Sequence, residues 1–195
     1  MITFIKTLKY DTKPENRDIF EYLSQLALQK IDPPSISNAS VYINADFVFH
    51  SPLRRVADTL ERKENCQAIS VDALREILFD IPKLCTREEW LYSGSSIIRN
   101  RFKSAFIADQ LPVSRAELFD EIRKVLLLLA SKPQSSSIYV VSHSFRLKII
   151  EAFIKTKGML ESDPVLIHQF IWDDQKTYPF GAAFCVDQAD LRWLT

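Results

Sequence analysis

The stretch SSSIYVVSHSFRLKIIEAFIK (135–155) decides the fold class. Its first part, SSSIYVVSH (135–143), contains the β-branched and aromatic residues typical of a buried strand, and SFRLKIIEAFIK (144–155) has the apolar spacing of a helix. A strand that passes directly into a helix is typical of a βαβ unit. The stretch therefore predicts a central strand with a helix beginning at its carboxyl end.

Short β-rich runs alternate with helical patterns along the rest of the chain, which indicates a largely parallel sheet. The other predicted strands are ITFI (2–5), FVFH (47–50), AISV (68–71) and Phe180–Val186. The other predicted helices cover residues 15–30, 53–63 and 114–130, and residues 80–112 form a helical insertion over the sheet. We expect one domain, residues 1–195, with the fold of a three-layer α/β/α sandwich whose mostly parallel sheet has an antiparallel edge strand.

Two of these helices carry start signals. Ser114 begins a capping box with Glu117, and the apolar positions of a helix follow it. Ser51 is in place to cap the helix predicted over LRRVADTLERK (53–63), and Pro52 suits a first helical position. Both helices are therefore predicted to begin at a serine.

Composition excludes several classes of protein. Lys+Arg and Asp+Glu both number 25 in 195 residues, so no basic excess favours nucleic acid or a membrane surface as partner. The N-terminal MITFIKTLKYD lacks the pattern of a signal peptide, and no apolar run reaches the roughly 18 residues of a membrane span. The three cysteines form no CxxC pair, which argues against a zinc site or a redox dithiol. We predict no metal and no cofactor. We expect a cytoplasmic protein.

Polar residues follow two of the predicted strands, at the strand ends where ligands bind in open α/β sheets. FVFH delivers His50, Ser51 and Arg55 to the start of a helix, and YVVS delivers His143. Helix N-termini favour anions, an arginine fork matches phosphate oxygens, and histidine suits acid/base work near neutral pH. We therefore predict an anion pocket, with a phosphate group as its preferred occupant.

The same segments resemble motifs of the histidine phosphatase superfamily, also called phosphoglycerate mutase-like. SPLRRVADT (51–59) resembles its S-P-L-x-R-A-x-x-T motif, and YVVSHSFRLKII (139–150) is similar to its V-V-S-H-G-x-x-I-R segment. LREI (74–77) resembles its L-x-E-I element, and SRAELFDEIRKVLLLL (114–129) the helix before its second histidine strand. The resemblance covers about the whole domain and implies that family's fold.

The resemblance also implies roles for individual residues. It implies that Arg55 binds phosphate, that His143 contacts the phosphoryl group, and that Glu76 is the proton donor near the leaving group. From the residues alone, Glu76 is as readily a solvated glutamate before a helix. Arg54 is expected to be solvated.

This chain departs from the family where its nucleophile stands. Family members carry an R-H-G triplet after the first strand, and the corresponding residues here are Lys6, Thr7 and Leu8. A threonine hydroxyl is a poor nucleophile without an adjacent base. Lys6 is a candidate phosphate contact in place of the arginine, as a point charge. Ser144 stands where the family has glycine after its second histidine.

Several residues are left with two interpretations. His50, directly before SPLxR, is either a substitute imidazole or a half-buried histidine at a strand end, and Thr7 and Ser144 are candidates for the pocket rim. His168, in LIHQFIWDD, is expected to pack among its apolar neighbours. Asp173 and Asp174 are possible rim residues, but they lack the other ligands of a metal site.

Three functional hypotheses follow. The first is a divergent histidine-phosphatase-like protein that binds a phosphorylated small molecule or similar anion without the phosphohistidine mechanism, a pseudo-phosphatase. The second is an enzyme of unconventional chemistry on the same fold that uses His143 and Glu76 as acid/base groups. The third is an interaction protein with a vestigial pocket. The sequence does not predict an oligomeric state.

Overall fold

The computed structural model describes residues 1–6, 18–31, 41–57, 60–62, 65–171 and 183–194. Within these ranges the strands are β1 Ile2–Lys6, β2 Val41–Ile43, β3 Phe47–His50, β4 Leu60–Arg62, β5 Gln67–Ser70, β6 Ile138–Ser142 and β7 Ala183–Val186. The helices are α1 Ile19–Ala27, α2 Arg54–Ala57, α3 Ile81–Leu84, α4 Arg87–Ser93, α5 Ser95–Ile107, α6 Arg115–Ala130, α7 Ser144–Lys155 and α8 Pro164–Ile171. Turns of 3₁₀ helix cover Asp72–Leu74, Met159–Glu161 and Gln188–Leu194.

The main sheet has the strand order β5-β3-β6-β1-β7. Neighbouring strands from β5 to β1 are parallel, and β7 pairs antiparallel with β1 at the edge. The expected fold class, a mixed α/β fold with a mostly parallel sheet and an antiparallel edge strand, is therefore confirmed. The part of the predicted last strand before Ala183 lies outside the described residues.

Side chains that alternate along the strands build a core on each face of this sheet. Phe4, Phe49 and Val140 pack into a large cluster with apolar residues of α5, α6 and α7. Val48 and Val141 face the other way, into a smaller cluster with residues of α2, β2 and β4. Both faces of the central strands are covered by apolar clusters. The polar groups that follow these strands therefore lie at the carboxyl ends of the strands.

Two helix predictions made from local signals are confirmed. Ser114 and Glu117 form a complete capping box at the start of α6. Residues 80–112, which the sequence predicts to be helical, contain α3, α4 and α5. Within the described ranges, no helix has the length and apolar composition needed to cross a membrane.

The helix predicted over residues 53–63 is wrong. Among the described residues of this range, Arg54–Ala57 is helical, and Leu60–Arg62 is a strand that pairs in parallel with β2. Pairing with a distant strand gives these residues a ladder of hydrogen bonds, and such tertiary contacts override helical propensity. A short strand therefore stands at Leu60–Arg62, where the sequence predicts helix.

Ser51 does not cap α2, and Pro52 does not occupy its first position, because the helix begins at Arg54. Ser51 instead continues the sheet, with its backbone N–H donating to the Val141 carbonyl at 3.0 Å. Its hydroxyl is held by other partners, described below. The expected capping role is therefore corrected.

Candidate anion site

The four parallel strands β5, β3, β6 and β1 have their carboxyl ends at the same end of the sheet. Lys6 lies in register with Ser142, and His50 with both Val141 and Ser70. Lys6, Ser51 and His143 therefore lie together at this end of the sheet. We call the cluster of Lys6, Ser51, Arg55, Glu76, His143, Arg146 and Lys148 the strand-end site.

His143 and Ser51 are joined by a buried hydrogen bond. The distance from His143 Nε2 to Ser51 Oγ is 2.9 Å, and the two residues are 2% and 0% exposed. Burial lowers the pKa of His143 well below its ordinary value, and the nearby charges of Arg55 and Arg146 lower it further. The imidazole is therefore neutral at physiological pH.

Arg55 is buried although it belongs to a short helix at the rim of the sheet. It is 3% exposed, whereas its neighbour Arg54 is exposed as predicted. Its positive charge is close enough to His143 to disfavour protonation of that ring. The structure thus brings together Arg55 and His143, the two residues for which the family resemblance predicts contact with phosphate.

Glu76 reaches across to the start of α7. Its carboxylate accepts the backbone N–H of Arg146 at 3.2 Å, that of Phe145 at 3.5 Å, and the N–H of Ile77 at 3.1 Å. Burial raises the pKa of this carboxyl, although these N–H groups and Arg146 act in the opposite direction. Glu76 is thus a partly buried residue bound to the start of α7, and its role as a proton donor stays a prediction.

Arg146 fixes the segment that carries Glu76. Its Nε donates to the Arg75 carbonyl at 2.7 Å, and its Nη1 donates to Glu121 Oε2 at 2.9 Å. The Arg146 side chain is only 5% exposed. The sequence offered one signal for this residue, because Arg146 lies in the first turn of the helix that directly follows His143.

Lys6 lies near both Glu76 and Lys148. Burial lowers the pKa of Lys6, the Glu76 carboxylate raises it, and the positive charge of Lys148 lowers it again. The ammonium groups of Lys6 on β1 and Lys148 on α7 are therefore close enough to repel each other. The strand-end site therefore combines four basic side chains with the Glu76 carboxylate.

Other candidate residues have different positions. His50 Nδ1 donates to the Ser51 carbonyl at 2.9 Å, and Ser144 is the partly buried first residue of α7. His168 is exposed on α8, so the expectation that it packs is wrong, because its apolar neighbours Ile167 and Ile171 occupy the buried face.

Thr7, Asp173 and Asp174 lie outside the described residues. Among the residues that are described, no group of three or more His, Cys, Asp or Glu side chains is arranged to hold a metal ion. The hypothesis of a substitute imidazole at His50 stays a prediction.

No protein-family model and no curated protein matches the sequence. Among solved structures, the chain is similar to a mycobacterial glucosyl-3-phosphoglycerate phosphatase, with 13% identity and a TM-score of 0.49 over 93% of this chain and 87% of that one. It is also similar to a phosphoserine phosphatase from Entamoeba histolytica, with 15% identity and a TM-score of 0.45 over the same two shares. A putative α-ribazole-5′-P phosphatase from Escherichia coli aligns with 17% identity and a TM-score of 0.43 over 78% of each chain. By name all three are phosphatases, the class of protein that the sequence motifs resemble; at such identities and TM-scores the likeness assigns no activity.

Proposed function

We propose that this protein binds a phosphorylated small molecule or similar anion at the strand-end site and does not use a phosphohistidine mechanism. The observation that carries the proposal is the buried Arg55 beside the neutral, buried His143 at the carboxyl ends of the parallel strands. A guanidinium offers paired donors that match phosphate oxygens, and a neutral imidazole adds one further donor. This combination is suited to an oxyanion.

The charges around the site support the same ligand. Lys6 and Lys148 repel each other, and this repulsion contributes to the lowered pKa of Lys6. An anion bound between them and Arg55 relieves the repulsion. The proposal includes a cytoplasmic location, where phosphorylated metabolites are available.

The positions of the histidines support the absence of a phosphoenzyme. Thr7 stands where the resembled family has its nucleophile. His143 Nε2 is bonded to Ser51, and His50 Nδ1 is bonded to the Ser51 carbonyl. His168, the third histidine of the chain, is exposed on α8. Thr7 and the engaged Nε2 of His143 support the proposal, whereas the carbonyl contact of His50 occupies only its Nδ1.

Replacement of Arg55 tests the anion site. In the unaltered protein, phosphate, sulfate or vanadate should raise the melting temperature, because a ligand at about 100 times its Kd stabilises the folded state by about 2.7 kcal/mol. Arg55→Ala should abolish this shift, whereas the matched variant Arg54→Ala, which alters an exposed arginine of the same helix, should retain it. The proposal fails if no oxyanion produces a shift well above millimolar concentration, or if Arg55→Ala keeps it.

Glu76 provides a second test, because its carboxylate is itself an anion at the start of α7. Glu76→Gln should tighten phosphate binding by about tenfold, or about 1.4 kcal/mol, since it removes a like charge from the site. Titration calorimetry at neutral pH measures the change. Glu151→Gln is the matched control, because Glu151 lies on α7, the helix whose start Glu76 contacts, but pairs with Lys155 near the other end. Weaker binding in Glu76→Gln would show that the carboxylate supports the ligand.

One observation favours the second hypothesis, an enzyme of unconventional chemistry. Burial raises the pKa of Glu76, and a carboxyl that keeps its proton closer to neutral pH is suited to general acid catalysis. In that case p-nitrophenyl phosphate or a sugar phosphate is hydrolysed, and both His143→Asn and Glu76→Gln remove the activity. Absence of turnover favours the pseudo-phosphatase, and a trapped phosphohistidine contradicts both hypotheses.

A further inference from the structure

The Ser51 hydroxyl lies at the junction of the two site segments. It is fully buried, and in the described part of the chain its Oγ makes two hydrogen bonds. The backbone N–H of Leu53 donates to it at 3.3 Å, and His143 Nε2 lies 2.9 Å from it. The proton of the second hydrogen bond is carried either by the Ser51 hydroxyl or by His143 Nε2.

The first contact constrains the second. The Leu53 N–H can only donate, so it occupies one lone pair of Oγ and leaves the hydroxyl proton available. If that proton points to His143 Nε2, every polar group of the contact is satisfied. If Nε2 carries the proton instead, the buried hydroxyl has no acceptor for its own proton among the described residues. Buried donors without acceptors are strongly disfavoured, so the first arrangement is preferred.

We infer that Ser51 is a positioning residue that holds His143 as its Nδ1–H tautomer, so that the ring meets an anion as a hydrogen-bond donor. The part of this inference that concerns the anion rests on the proposed function. The tautomer itself follows from the hydrogen bonds of Ser51 alone.

The surrounding charges agree with this assignment. An imidazolium carries a proton on both nitrogens, so it would also deprive the Ser51 hydroxyl of its acceptor. Arg55 and Arg146 oppose a positive charge on the ring, and burial opposes it further. His143 Nδ1 makes no hydrogen bond to a described residue and is the ring atom left to donate.

The same contact resembles the pairing of a serine nucleophile with a histidine base, since the two atoms lie within hydrogen-bonding distance. A nucleophile must be reached by its substrate, however, and Ser51 has no exposed surface. Ser51 therefore acts through His143 rather than on the ligand.

Nitrogen NMR of the full chain tests the tautomer. In uniformly ¹⁵N-labelled protein near neutral pH, the His143 ring, identified by the signals lost in His143→Asn, should show a protonated Nδ1 and an unprotonated Nε2. Ser51→Ala should move the population toward the Nε2–H form. An unprotonated Nδ1 in the unaltered protein, or an unchanged tautomer in Ser51→Ala, overturns the inference.

Ser142→Ala is the matched control. Ser142 is also fully buried and directly precedes His143, but its hydroxyl donates to the Leu74 carbonyl at 2.7 Å. Its removal should leave the tautomer unchanged. If both variants change the tautomer equally, general loosening of the site explains the effect and the role of Ser51 is overturned.

Addition of inorganic phosphate separates the inference from the proposed function. Phosphate should shift the Nδ1–H signal of His143 while the tautomer is kept. A stable Nδ1–H tautomer with no response to phosphate overturns the donor role toward an anion, and with it the proposed function, but leaves the action of Ser51 on the ring in place. An Nε2–H tautomer that responds clearly to phosphate overturns the action of Ser51 on the ring but leaves the proposed function in place.

Discussion

Replacing Arg146 with methionine should lower the free energy of unfolding by about 3 kcal/mol, because it removes a buried charged donor from two hydrogen bonds. The guanidinium is 5% exposed and bridges the Arg75 carbonyl and the Glu121 carboxylate. Methionine fills much of the same volume but leaves the Arg75 carbonyl without that donor. Urea denaturation followed by circular dichroism measures the loss.

Arg101→Met is the matched control for this prediction. Arg101 also donates to a backbone carbonyl, that of Leu84, and to a carboxylate, that of Glu89. Its side chain is 44% exposed, so its loss should cost at most about 1 kcal/mol. Equal losses in the two variants would contradict the claim that burial makes the Arg146 network important.

The second large effect is a loss of stability at acid pH that depends on His143. Its pKa in the folded protein lies below the ordinary value because of burial, Arg55 and Arg146. Below about pH 6.5 the unfolded chain therefore binds a proton at this residue that the folded chain does not. The free energy of unfolding should then fall as the pH falls from about 6.5, by up to about 1.4 kcal/mol per pH unit, until the folded pKa is reached.

Denaturation of the unaltered protein and of His143→Asn between pH 5 and pH 7.5 measures this dependence. The variant should lose the part of the slope that comes from His143, whatever its stability at neutral pH. His168→Gln, which removes an exposed histidine, should keep the slope of the unaltered protein. An unchanged slope in His143→Asn would show that the ring does not titrate abnormally.

Local chemistry explains which elements could be predicted from the sequence. The capping box of Ser114 and Glu117 uses residues three positions apart, so the start of α6 can be read without knowledge of the fold. The strand-to-helix passage at residues 135–155 needs only hydrophobic periodicity and is confirmed as β6 and α7. The alternation of strands and helices also predicts parallel strands whose carboxyl ends lie together, and so the position of the candidate anion site could be proposed from the sequence.

Contacts between distant residues explain the elements and roles that could not be predicted. The local pattern predicts a helix at Leu60–Arg62, but these residues form a strand because they pair with β2. Glu76 is ambiguous in LREI, and only the approach of α7 shows that its carboxylate receives backbone N–H groups. No spacing rule links Arg146 to the Arg75 carbonyl, 71 positions away.

For the strand-end site, the sequence by itself determined which residues are present: the SPLxR and VVSH motifs with Arg55 and His143, and Thr7 at the position of the expected nucleophile. The tertiary structure decided what these residues do to one another. In the folded protein, His143 is buried near Arg55. Ser51, which the sequence predicts to cap a helix, forms a hydrogen bond with the imidazole. The physical reason is that residue types are fixed by the chain, whereas burial, protonation and hydrogen-bond direction depend on which groups are brought into contact by folding.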